Sequence, residues 1–142
     1  MIYTNLTKQA LKLCFEAHNE QIDKSGMPYV FHPFHLAEQM TDEAKTVVAL
    51  LHDVVEDTQY SMQDLEKEFP REVIEALKLL THDKSVDYFE YVEKVKANPT
   101  AKKVKIADVI HNSDQSRLDS ITEKDLKRRE KYKKAIALLK DE

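Results

Sequence analysis

The sequence predicts an all-α fold, and three observations carry that reading. Gly26 is the one glycine among 142 residues, whereas hairpins and sheets draw on glycine at their turns. Apolar residues recur at spacings of three and four along most of the chain, which is the helical period and not the strand period. Pro33, Pro70 and Pro99 stand at the starts of periodic runs, where a helix loses nothing by lacking an N–H.

Eight helices follow in order. In Leu6–Asn19, Ala10, Leu13, Cys14 and Ala17 share a stripe, so Cys14 reads as a small core residue and His18 as the closing cap. The loop "DKSGMPYVFHP" (Asp23–Pro33) gathers Lys24, Ser25, Gly26 and Pro28 into a rigid polar turn that delivers Tyr29 and His32 to the next helix, Pro33–Met40. Asp42–Glu56 contains "VVALLHDVVEDT", apolar enough to be buried until His52 and Asp53 interrupt it. Ser61 and Asp64 form a capping pair ahead of Met62–Phe69. Pro70–Leu80 and Val86–Ala97 follow, with the intervening His82–Asp83 reading as an exposed helix end. Pro99–Asn112 is apolar around Asp108. The last helix, Glu123–Lys140, is highly charged; its spacing turns Leu126, Tyr132, Ile136 and Leu139 inward and leaves the rest in solvent.

Length and composition bound what such a bundle does. The chain is long enough for one domain over residues 1–142, with its own hydrophobic core. No repeat or low-complexity linker divides it. The net charge is −4 with both signs interspersed, so no basic face favours nucleic acid. Even "KRREKYKK" is flanked and interrupted by acids. No apolar run approaches the length of a membrane span. The start, "MIYTNLTKQALK", lacks the pattern of a signal peptide. A single cysteine rules out an internal disulfide and fits a cytoplasmic protein. The sequence leaves oligomeric state open.

The residues that carry chemistry are those placed against the grain of their helices. His32, His52, Asp53 and Asp108 come from three separate helices, each at a position where a core residue is expected. Buried carboxylates need a cation or a histidinium beside them, and one divalent ion would satisfy all four residues. Taken singly, each histidine also reads as an ordinary core or surface residue. Glu56 lies four residues after His52 and three after Asp53, on the same helical face. Glu56 and Asp57 are thus candidates for a general base or for orienting a water; the plainer reading is a solvated helix end. Lys24 could offset phosphate charge and Asn112 could bond a sugar or base, or both are simply surface residues. His35 reads as packing, and His111 as a brace that donates to the site.

Four collinear segments, "AHNEQ", "DKSGMPYVFHP", "ALLHDVVEDT" and "VKIADVIHN", span about residues 17–112. In them the chain resembles the HD-domain phosphohydrolases, and in particular the hydrolase domain of the RelA/SpoT family and the stand-alone small alarmone hydrolases. The resemblance implies a compact HD-type helical fold and one Mn²⁺, or another divalent cation, held by His32, His52, Asp53 and Asp108. It places the water-handling pair on Glu56 and Asp57, and nucleotide contacts on Lys24, Ser25 and Asn112. The implied activity is removal of the 3′-pyrophosphate from guanosine 3′,5′-bis(diphosphate), with a phosphorylated nucleotide as partner. Two places depart from the family pattern: Asp23, where a base is usual, and Ser113-Asp114-Gln115 after the "HN". They leave open an HD phosphohydrolase acting on another nucleotide or phosphoester, or a non-catalytic nucleotide-sensing module.

Overall fold

A computed structural model describes residues 1–141. Among these, nine α-helices run in the order α1 (Asn5–Ala17), α2 (Phe31–Glu38), α3 (Glu43–Leu51), α4 (Val54–Asp57), α5 (Met62–Glu66), α6 (Arg71–Leu80), α7 (Tyr88–Lys96), α8 (Pro99–Asn112) and α9 (Glu123–Lys140), with a 3₁₀ turn at Gln115–Arg117. The only β-type pairing among the described residues is an isolated bridge between Ile22 and Pro28.

Helix α3 is the hub. Val47 to Leu51 are all buried, and a helix apolar on every side has to be surrounded. It packs against α1, α2, α6 and α8, while α9 lies across α7 and α8. Because α2, α3 and α8 also touch one another pairwise, whatever polar residues they carry at their common meeting point share one small volume.

Local chemistry sets the boundaries. Thr4, Ser61 and Thr122 each open a helix with a reciprocal capping box. Asp87 caps α7 through its carboxylate, so that helix starts two residues later than the apolar pattern predicts. Pro70 is the N-cap of α6 rather than its first residue, and Pro99 takes the first position of α8.

Three expectations are corrected. The predicted helix Asp42–Glu56 is broken at His52 and Asp53 into α3 and α4. The His52 ring takes the Ala49 carbonyl at 2.7 Å, the acceptor that the Asp53 N–H would use in a continuing helix. Leu126 points outward, 51% exposed, because the neighbouring Asp125 turns inward to cap α9 and meet Lys24; Ala135 and Leu139 are the buried apolar residues of α9, with Tyr132 and Ile136 partly buried. His82 is not a free helix end: its ring stacks on Tyr91 with centroids 4.4 Å apart.

Cys14 is 1% exposed. Burial, with the Asp53 charge nearby, pushes its thiol up to about 12, so it is an inert core residue.

Candidate active site

The loop after α1 is built by Asp23. Its Oδ1 accepts the N–H groups of Ser25 and Met27 at 2.9 and 3.0 Å, and Gly26 completes the turn at φ +78°, a conformation that costs an L-residue strain. The turn sets Tyr29 and His32 over the end of α3. There, His32 from α2, His52 and Asp53 from the α3–α4 break, and Asp108 from α8 place ligand atoms all within 4.8 Å of one another.

The distances define a tight cluster. His32 Nε2 lies 2.9 Å from Asp108 Oδ1 and 3.9 Å from Asp53 Oδ2. His52 Nε2 lies 3.0 Å from Asp53 Oδ2 and 3.4 Å from Asp108 Oδ1. Despite that proximity, His52 Nε2 is buried with no hydrogen bond of acceptable direction. Its Nδ1 faces a carbonyl, an acceptor only, and so carries the proton. The neutral ring then aims an Nε2 lone pair at two carboxylates, an arrangement that calls for a cation between them. The donor set, two imidazoles and two carboxylates, fits a divalent metal ion. Without one, the ring itself must supply charge: burial alone would lower the His52 pKa, but Asp53 and Asp108 raise it well above the usual histidine range.

The surrounding groups fix these four side chains. Burial works to raise the Asp108 pKa, but Lys105, His32 and His52 hold it well below the usual carboxylate range. Lys105 Nζ donates to its Oδ2 and the Asn112 amide to its Oδ1, each at 3.0 Å. The Tyr29 hydroxyl donates to Asp53 Oδ2. His32 and His111 share a proton between their Nδ1 atoms at 2.7 Å; burial and the His32 charge lower the His111 pKa to about 3. His35 is exposed and stacks on His111 at 4.1 Å rather than packing in the core.

Two cavities open on either side of the cluster. One, about 320 Å³, meets it at Tyr29, His32 and Asn112, and extends past Ile22, Leu118 and Tyr132. Lys24, Ser25, Arg117 and Arg128 also line it. Lys24 Nζ sits 3.2 Å from Asp125 Oδ1, and Ser25 Oγ donates to the Arg117 carbonyl at 2.8 Å. The charge reversal at Asp23 is answered locally: its Oδ2 lies 3.8 Å from Arg117, two residues beyond the Ser113-Asp114-Gln115 segment that departs after "HN". The other cavity, about 180 Å³, meets the cluster at His52 and Asp53 and holds Glu56. The Glu56 carboxylate accepts the His82 N–H. Burial raises the pKa of Glu56 and of Asp57, with the Asp53 charge adding to both.

The structure thus brings His32, His52, Asp53 and Asp108 together, sets Glu56 beside them, and places Lys24, Ser25 and Asn112 on one cavity wall. It gives Asn112 a bond to Asp108 that the sequence did not foretell. Lys105, Arg117 and Arg128 were not singled out from sequence, and Tyr132 was read only as an inward-packing residue of the last helix. Lys105 had a signal, lying three residues before Asp108 on one helical face; the others reach the site only through tertiary packing.

An all-helical scaffold that holds a His, a His-Asp pair and an Asp around one point, with acids and bases beside it, defines a class of metal-binding helical proteins. Residues 10–111 match the model described as "HD domain", and the chain belongs to that family. It is 34% identical over 121 residues to the guanosine-3′,5′-bis(diphosphate) 3′-pyrophosphohydrolase MESH1 of Drosophila melanogaster, covering 78% of this chain and 68% of that one. It is 31% identical over 121 residues to the guanosine-3′,5′-bis(diphosphate) 3′-pyrophosphohydrolase of Borreliella burgdorferi, covering 73% of this chain and only 18% of that longer protein. A solved structure of a metazoan SpoT ortholog, described as hydrolysing ppGpp and acting in starvation responses, superposes with a TM-score of 0.82 at 27% identity, over 99% of this chain and 88% of that one.

Proposed function

We propose that this chain is a divalent-metal-dependent phosphohydrolase that removes the 3′-diphosphate of guanosine 3′,5′-bis(diphosphate), with Mn²⁺ held by His32, His52, Asp53 and Asp108. The observation that carries the reading is the buried His52 Nε2, aimed without a hydrogen bond into two carboxylates while Glu56 stands in the adjoining cavity. The activity named for the Drosophila relative, two thirds of whose length this chain covers, supplies the substrate.

A bound divalent ion acidifies water and polarises a phosphoryl oxygen. The chain's own residues do the rest. The His82 N–H holds one oxygen of Glu56, leaving the other to take a proton from the attacking water. Asp57 orients the same water. The water oxygen bonds to the phosphorus next to the ribose, the bond from that phosphorus to O3′ breaks, and O3′ receives the proton. Pyrophosphate and GDP are the products. Ile22, Leu118 and Tyr132 offer an apolar bed for the nucleoside, with Lys24, Arg117 and Arg128 offsetting its 5′ charge.

The test is to incubate the protein with Mn²⁺ and the alarmone and to follow GDP and pyrophosphate. The wild type turns over, and Glu56→Gln loses about 10²–10⁴-fold in kcat. Binding of the alarmone without products would instead indicate a nucleotide sensor and reject the hydrolase.

A further inference from the structure

We propose that the smaller cavity, on the Glu56 side of the metal cluster, is a diphosphate subsite that seats the distal phosphate of the group being transferred. The inference rests on the metal-centred phosphohydrolase reading above and deepens it.

The two cavities differ in what they can hold. The larger has an apolar bed at Ile22, Leu118 and Tyr132 between charged walls and room for a nucleoside; the smaller, at about 180 Å³ against about 320 Å³, suits only a compact group. The smaller cavity is lined by two ammonium groups. Lys105, its side chain 13% exposed, is fixed by Asp108 at 3.0 Å and lies 5.2 Å from the Tyr91 ring centroid. Lys131 of α9 reaches across to sit 4.0 Å over the Tyr88 ring, and makes no ion pair among the described residues. Tyr88, on the same wall, has a buried hydroxyl with no hydrogen-bond partner. An ammonium with only a ring beneath it and an unused hydroxyl are donors in search of an acceptor.

The charge balance points the same way. A divalent ion would offset Asp53 and Asp108, leaving Lys105 and Lys131 against Glu56 alone, so this compartment favours a compact anion with several oxygens. With the phosphorus next to the ribose at the cluster and the nucleoside in the larger cavity, the far phosphate falls on the Lys131 side. The water oxygen joins the near phosphorus as its bond to O3′ breaks. The diphosphoryl group departs as pyrophosphate, held by Lys105, Lys131 and the Tyr88 hydroxyl. The subsite accordingly selects a 3′-diphosphate over a 3′-monophosphate.

The experiment is calorimetric titration of inorganic pyrophosphate, as its soluble magnesium complex, into protein carrying one equivalent of Mn²⁺, with guanosine 5′-monophosphate as the control for the larger cavity. Lys131→Glu, on an exposed position, is expected to weaken pyrophosphate about ten- to a hundredfold, and Tyr88→Phe to weaken it by a smaller factor. Neither change is expected to alter monophosphate affinity, and thermal melts check that both variants are folded. Pyrophosphate binding that is undetectable in the wild type, indifferent to Lys131→Glu, or lost in parallel with the monophosphate would overturn the subsite. Lys131-dependent binding in a protein that fails to hydrolyse the alarmone supports the subsite and rejects only the substrate named above.

Discussion

His52 does two things with one ring. Its Nδ1–H takes the Ala49 carbonyl and so ends α3, and that same bond fixes the tautomer that leaves Nε2 facing Asp53 and Asp108. The interruption of "VVALLHDVVEDT" was visible in the sequence as a conflict between an apolar helix and its polar residues. That the conflict is settled by breaking the helix was not, because a side chain competing for a backbone carbonyl leaves no periodic trace. Tyr29 acts one step out, its hydroxyl bound to Asp53. Tyr29→Phe is expected to lower divalent-ion affinity by about 10–100-fold with the fold intact, read by metal titration. Glu56 offers a test by pH. Burial raises its pKa in the folded protein, so folding favours its protonated form. Its contribution to stability is therefore present at acid pH and is lost as pH rises through that raised value. In metal-free protein, Glu56→Gln is expected to be the more stable variant near neutral pH, and the advantage should vanish at acid pH in denaturant titrations.

At the scale of elements, the loop between α1 and α2 decides where the site residues stand. Its rigidity was legible from "DKSGMP", since glycine, proline and a short acid are turn chemistry. The role of Asp23 was not. Compared with a family pattern it reads as a reversed charge, yet here it accepts two loop N–H groups and faces Arg117. Only the fold brings positions 23 and 117 together. Because Gly26 sits at φ +78° with open space around it, strain and not crowding opposes a side chain there. Gly26→Ala is expected to cost about 1–2 kcal/mol of stability, measured by urea unfolding, and to weaken substrate through the displaced Lys24 and Ser25. The last helix shows the limit of pattern reading. A period of three to four placed Leu126 inward, but Asp125 has both the Thr122 cap and Lys24 as partners, and those bonds set the rotation of the first turn.

For the whole molecule, α3 is surrounded by four helices and brings the candidate ligand positions together. The all-helical class was legible because one glycine and a helical period exclude a sheet. Four candidate ligand residues spread from position 32 to 108 could be nominated from sequence, because His52, Asp53 and Asp108 are ionisable groups in apolar runs and His32 opens a helix after a rigid loop. The two-cavity arrangement could not, since Lys131 and Tyr88, or Lys24 and Asp125, meet only across helix packing. The central claim is that one divalent ion belongs to His32, His52, Asp53 and Asp108. Mn²⁺ titration followed by electron paramagnetic resonance tests it directly. One ion per chain is expected for the wild type, with affinity collapsing in Asp53→Asn and in Asp108→Asn while both variants remain folded. An absence of bound Mn²⁺, or an ion bound equally well by both variants, would contradict the account.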